Sequence, residues 1–212
     1  MVKTTIIFSS GGSVALSFRL AELASFYQSE ESIYDIGCDH GLLGLSFKTN
    51  PYSVDIISKT IDADITEPPY IFTLKINGQK AKIKKTNSLI FIAGMGGKTI
   101  IDILKNWSEE NLLNCSQIVL SPHRNLLELR AYLHHENFIL VGERVLSENN
   151  QFYEVFSVTK SKNIGPRVSL YGEELWERPE SANYLKHQLG YLEYHRDCQS
   201  LAYLNYLKRL AK

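Results

Sequence analysis

The chain has 212 residues, 44% of them hydrophobic and 22% charged, and its 23 basic side chains balance 23 acidic ones. Those are ordinary globular proportions at a length that can bury a substantial core. The zero formal net charge excludes a global field for holding a polyanion or an anionic membrane.

In chain order, residues 1–12 read as a loose arm, and a first segment of 1–14 is set apart on that ground. From Ala15 to Tyr27 the apolar residues Leu16, Leu20, Leu23 and Ala24 recur at helical spacing. Ser32-Ile33-Tyr34-Asp35-Ile36-Gly37 is a short β-type run ending in glycine, and Leu42, Leu43, Leu45 and Phe47 predict a helix directly after it. Strand, turn and helix in that order open a nucleotide-binding α/β domain. Lys59 to Asp64 reads as a second strand, and Pro68-Pro69-Tyr70 as a helix start, because proline is tolerated in a first turn. Leu89 to Ala93 is an uninterrupted apolar strand, as expected where a parallel strand is covered on both faces. Gly94-Met95-Gly96-Gly97 follows it, then a helix from Thr99 to Leu104. Gln117 to Leu120 is another buried strand, Leu126 to Leu133 a helix, and Phe138 to Val141 and Phe152 to Val158 an antiparallel pair at a sheet edge. Strands alternating with helices predict a doubly wound α/β sheet over residues 15–163. Residues 164–212 form a helical extension with a coiled-coil-like leucine pattern, read as one long helix or two shorter ones because the seam fails at His195-Arg196-Asp197. Packing on the parent domain and projection from it are both open at this stage.

Cys38, Cys115 and Cys198 are widely spaced and match no metal-ligand pattern, so neither a disulfide framework nor a metal site is expected, and a reducing compartment is. Ser9-Ser10-Gly11-Gly12 interrupts the only apolar run near the N-terminus, and no stretch approaches the roughly 20 apolar residues of a membrane span. The expectation is a soluble, cytoplasmic protein with no membrane and no metal. Residues 160–212 carry 9 basic and 6 acidic groups, so a polyanion partner would use a local patch, most plausibly near the C-terminus.

Three constellations carry candidate chemistry. In Asp35-Ile36-Gly37-Cys38-Asp39-His40-Gly41, Gly37 allows a sharp turn, Gly41 admits a ligand or a close helix contact, and the helix N-terminus that follows can receive polar ligand groups. Asp64 stands 27 residues past Gly37, at the expected end of the second strand, where a carboxylate can accept two ribose hydroxyls. Ala93-Gly94-Met95-Gly96-Gly97 ends a buried strand with room for a flat base to approach. Lys80, Lys82, Lys84 and Lys85 would project from one edge if that segment is a strand, either as a phosphate-contacting patch or as a solubilising edge.

Together with Leu16-Ser17-Phe18-Arg19-Leu20, Asp64-Ile65-Thr66-Glu67-Pro68-Pro69-Tyr70, Leu120-Ser121-Pro122 through Leu129-Arg130, Phe152-Tyr153-Glu154-Val155 and Tyr171-Gly172, these motifs occur in an order that resembles the bacterial tRNA (adenine(22)-N(1))-methyltransferases. The resemblance covers about residues 15–200. It implies a Rossmann-like class I methyltransferase domain with a C-terminal helical domain that helps hold tRNA, and methyl transfer from S-adenosylmethionine to N1 of an adenine in the D-arm. Carried over by position, Asp35, Gly37, Cys38, Asp39 and Gly41 would line the cofactor loop, and Asp64 and Ile65 would meet its ribose and adenine. Ala93 and Gly94 would close the cofactor site, and Gly94, Met95, Gly96 and Gly97 would face the target base beside Asp39. Asp39 would stabilise the cationic methylated adenine; His40 is a weaker candidate. Arg19, His123, Arg124, Lys82 and Lys84 would contact RNA.

The sequence departs from that family in three places. The stretch between Tyr70 and Ala93 is about twenty residues short, Gly41-Leu42-Leu43-Gly44 replaces a loop with tyrosine and proline, and Ser121-Pro122-His123 replaces a Gln-Pro-Asn turn. The short stretch keeps an alternative open: a degenerate relative that binds tRNA or another partner without turnover. The chain is expected to be a monomer or a weak dimer.

Overall fold

A computed structural model describes residues 4–7, 13–37, 42–47, 70–74, 78–83, 86–161, 165–194 and 198–211. The chain begins with β1 (Thr4–Ile7) and β2 (Ser13–Leu16), followed by α1 (Phe18–Ala24), β3 (Ser32–Ile36), α2 (Leu42–Ser46) and β4 (Tyr70–Leu74). A 3-10 turn at Gly78–Lys80 leads to β5 (Ser88–Ala93), α3 (Gly97–Asn106), α4 (Glu109–Asn114), β6 (Cys115–Ser121) and α5 (Leu126–His135). β7 (Ile139–Glu148) and β8 (Gln151–Thr159) complete the strands, and α6 (Glu173–Trp176), α7 (Ala182–Tyr194) and α8 (Cys198–Leu210) close the chain.

Six strands form one sheet in the order β4-β3-β5-β6-β8-β7, parallel from β4 to β6 and antiparallel at β8 and β7. β5 is buried from Ser88 to Ile92, which is why its sequence runs apolar from Leu89 onward rather than alternating. One face of the sheet packs Ile36, Ile92, Ile118 and Leu120 against Ile100 and Ile103 of α3 and Leu129 and Leu133 of α5. The other packs Ile33, Phe91, Val119 and Val155 against Leu23 of α1 and Leu43 of α2. Helices therefore cover both faces, and the expected Rossmann-like α/β fold is the observed one.

Several local expectations need correction. Residues 4–7 are not a loose arm, since Thr4–Ile7 pairs antiparallel with Ser13–Leu16, and the expected boundary at residue 14 falls inside β2. The first helix starts only at Phe18, with Ser17 as its cap accepting from the Leu20 N–H. Tyr70 begins a strand rather than a helix: Tyr70–Leu74 pairs in parallel with Ser32–Ile36, and its aromatic and β-branched residues suit a pleated surface. The expected strand at 59–64 lies outside the described residues. The described part of the lysine segment is not an edge strand: residues 81–83 follow the 3-10 turn without forming a strand, with Ala81 and Ile83 buried and Lys80 and Lys82 exposed. Lys84 and Lys85 lie outside the described residues. Asn111 holds the Ile83 N–H and the Ala81 carbonyl at 3.0 and 2.9 Å, and Asn114 the Ile83 carbonyl at 2.8 Å.

β7 and β8 are an antiparallel hairpin at the sheet edge, as expected, but longer. They meet at Asn149-Asn150, both at positive φ, a turn whose twist matches the paired strands. Beyond Pro179 the described residues form two helices, α7 ending at Tyr194 and α8 starting at Cys198, and both pack back on the sheet domain. Leu192, Tyr203, Leu204 and Leu207 form a cluster with Leu127 of α5 and with Tyr171 and Trp176.

Candidate active site

The candidate residues gather at the carboxyl ends of β3, β5 and β6, where open α/β sheets bind ligands. Asp35 is buried one residue before the end of β3, and its carboxylate accepts the Gly44 N–H of α2 at 3.1 Å. Burial pushes its pKa up from 3.8 to about 6, against the opposing pull of the Gly44 bond. The gap favours the neutral carboxyl in the fold. The contribution of Asp35 to stability is therefore greatest below about pH 4 and falls as pH rises from about 4 to about 6, by roughly 3 kcal/mol. Asp35→Asn is expected to melt several degrees higher than the parent at pH 8 and together with it at pH 4. Equal melting temperatures at pH 8 would contradict this burial cost.

Two glycine turns meet next to Asp35. Gly37 sits at φ +73°, a conformation that strains any L side chain, and the Met95 methyl group lies over it, in the place a Cβ would take. Gly94 has φ +80°, is exposed, and faces open space where a Cβ would stand. The β5 turn is laced to the turn after β6 by three backbone bonds. The Gly94 N–H donates to Ser121 at 3.2 Å, the His123 N–H to Met95 at 3.0 Å, and the Gly97 N–H to Arg124 at 2.7 Å. The contact around Gly97 is close enough that a Cβ there would strike the Asn125 carbonyl oxygen.

On the rim, Arg19 donates to His123 Nε2 at 2.8 Å, and its guanidinium lies 4.9 Å from the centre of the Tyr153 ring. A guanidinium cannot accept, so Nε2 carries the lone pair. Partial burial, and then the Arg19 charge, hold the imidazole below its ordinary pKa. Glu148 accepts the Arg19 backbone N–H at 3.1 Å. Arg124 is exposed, with its side chain over Gly96.

The structure thus brings together Asp35, Gly37, Ala93, Gly94, Met95, Gly96 and Gly97, with Arg19, His123 and Arg124 on one rim. It does not bring Lys82 there. Ile83, its neighbour, is tied to Asn111 and Asn114 of α4, which enters β6 at the end opposite His123. Cys38, Asp39, His40, Gly41, Asp64, Ile65 and Lys84 lie outside the described residues. Tyr153 was legible as part of a motif but without a role; its ring packing against Arg19 and His123 supplies one. Among the described residues no group of three His, Cys, Asp or Glu side chains could hold a metal ion, and no helix is long and apolar enough to cross a membrane.

Residues 16–156 match the family model described as a methyltransferase domain. The chain belongs to that family. The match starts within β2 and ends within β8, and so takes in every strand end of the candidate site. This methyltransferase is 31% identical over 161 residues to a Mycoplasma pneumoniae protein provisionally named a tRNA methyltransferase, covering 68% of this chain and 71% of that one. It is 28% identical over 156 residues to the tRNA (adenine(22)-N(1))-methyltransferase of Bacillus subtilis, covering 66% of this chain and 63% of that enzyme. Its fold is that of a Streptococcus pneumoniae protein, provisionally named a tRNA (m1A22) methyltransferase, solved in complex with S-adenosyl-L-methionine. There the TM-score is 0.67 and the identity 21%, over 93% of this chain and 100% of that one. The resemblance read from the motifs, the fold class and the methyltransferase activity all hold.

Proposed function

We propose that this methyltransferase transfers a methyl group from S-adenosylmethionine to N1 of an adenine in the D-arm of tRNA, at position 22. The observation that carries the proposal is the meeting of the Gly37 and Gly94–Gly97 turns beside the buried carboxyl of Asp35, with an arginine–histidine rim on the same side. The similarity of this chain to relatives named as tRNA methyltransferases supports the choice of substrate.

The residues present fit the cofactor. A carboxyl whose burial is uncompensated has a use for a cationic partner, and the ammonium of a methionine moiety is one. The open space at Gly94 leaves the strand end clear of side chains. When bound, S-adenosylmethionine supplies an electrophilic methyl group on a sulfonium. Asp35 would hold its methionine part, with Gly37, Cys38 and Gly41 around it, and Asp64 and Ile65 would hold its nucleoside.

Adenine N1 has its own lone pair, so the chain's task is to position it rather than to remove a proton. Alignment at about 3–3.5 Å contributes several kcal/mol to the lowering of such a barrier. Gly94, Met95, Gly96 and Gly97 would give the flat base its approach, and Asp39 would stabilise the positive charge that methylation leaves on the ring. Extrusion of the adenine from its stack costs a few kcal/mol, and Arg19, His123 and Arg124 would offset this by stacking and by contact with phosphate. A cytoplasmic location and a monomeric or weakly dimeric state belong to the same proposal.

Calorimetric titration with S-adenosylmethionine, using S-adenosylhomocysteine as control, tests the reading. Micromolar binding is expected. It should be lost in Asp64→Ala and should strengthen as pH rises through about 6, where ligation of the ammonium draws a proton off Asp35. Asp39→Ala is expected to abolish transfer to tRNA while keeping cofactor affinity within about tenfold. Absence of binding with and without tRNA would favour the degenerate relative instead.

A further inference from the structure

Beyond the glycine turns, a cavity of about 400 Å³ opens between residues 122–128 and the helices α7 and α8. That volume is within the range of about 300–1,000 Å³ typical of small-molecule sites. One lip is the turn that is hydrogen-bonded to the Gly94–Gly97 turn, and Arg124 belongs both to that lip and to the surroundings of Gly96. The cavity therefore begins where the proposed target-base site ends.

Its wall is a series of rings held in place from behind. Trp176 stacks on Tyr184 with centroids 5.3 Å apart, Tyr184 meets Phe152 at 5.4 Å, and Phe152 meets His187 at 5.1 Å. Tyr184 is locked, because its hydroxyl donates to the buried Glu154 at 2.8 Å and accepts the Gln188 amide at 2.6 Å. His187 and Tyr191 line the same cavity from the exposed side of α7. Preformed aromatic faces next to a guanidinium, with a carboxamide at hand to read an edge, suit a planar heterocycle on an anionic backbone.

We propose that this cavity is a second base site, which takes an unstacked nucleobase neighbouring the methylated adenine in the same RNA strand. The inference rests on the tRNA reading above and deepens it. A base removed from its stack leaves its neighbour without a stacking partner, and a ring-lined cavity one turn away replaces that partner. The occupant is RNA rather than a protein segment because the cavity shares its arginine-bearing lip with the site of the base to be methylated. The C-terminal helices then contribute a built recognition site rather than a general basic surface.

The test uses the full chain and a D-arm stem-loop RNA with 2-aminopurine at each nucleotide flanking the target adenine. Binding is followed by fluorescence, with the S-adenosylmethionine affinity of each variant measured in parallel to report an intact sheet domain. Quenching at one flanking position is expected for the parent. The double variant His187→Ala/Tyr191→Ala should lose that quenching and bind the RNA about tenfold more weakly, the scale of one lost base stack. His187→Phe/Tyr191→Trp should keep both. Tyr194→Ala, exposed on the same helix but outside the cavity, should match the parent. Unchanged quenching and affinity in the double alanine variant would overturn the second base site. A parent protein that quenches but transfers no methyl group would overturn the catalytic reading alone, and one that binds no RNA would overturn both.

Discussion

Arg130→Met is expected to lower the melting temperature by about 10 °C at pH 7.5. Arg130 is fully buried on α5, and its guanidinium donates to Glu154 on β8 at 2.7 and 3.1 Å, to Glu143 on β7 at 2.6 Å, and to the Ser169 carbonyl at 3.3 Å. Through Glu154 it also fixes Tyr184 of α7. Its removal leaves two buried carboxylates facing each other without a cation, a defect of about 3–5 kcal/mol. At about 2–4 °C per kcal/mol for a chain of this size, that gives the stated shift. Thermal melts of parent and variant at pH 7.5 check this, and a difference under 2 °C would refute it. The cation joins the sheet edge to the C-terminal helices, so the variant should also lose the quenching assigned to the second base site.

Gly97→Ala is expected to reduce the turnover of methyl transfer by about a hundredfold while the protein stays folded. The new Cβ meets the Asn125 backbone carbonyl, which cannot swing aside as a side-chain tip could. Relief requires the β5 and β6 turns to part, breaking the Gly97–Arg124 and Met95–His123 bonds that hold them in register. Overpacking of this kind costs about 1–3 kcal/mol of stability, and a displacement near 1 Å at reacting groups costs about 10²-fold in rate. Gly142→Ala is the control. Its Cβ on β7 would meet nothing within 4 Å, and turnover within about fivefold of the parent is expected. Single-turnover assays with tRNA separate the two, and equal rates for Gly97→Ala and the parent would remove the turn from the mechanism.

The sequence by itself determined the central strands, both glycine turns and the helices that follow them, while its C-terminal leucine pattern allowed one long helix or two. Each determined element is written locally: an apolar run buried on both faces, a glycine where the backbone must turn. It also placed His123 and Arg124 on a rim just beyond a strand's C-terminal end, while the meeting of Arg19 with His123 there came from the tertiary structure. Tertiary structure decided the rest. Thr4–Ile7 and Tyr70–Leu74 are too short to declare themselves as strands, and each becomes one by pairing with a partner. The lysine segment alternates like an edge strand, yet two asparagines of α4 bond its backbone and carry Lys82 away from the site. The buried triad of Arg130, Glu143 and Glu154, and the ring-lined cavity above it, join residues tens of positions apart. No local period encodes such a meeting; the packing of α5 against the β7–β8 edge brings the charges within bonding distance, and the packing of the C-terminal helices brings the rings together.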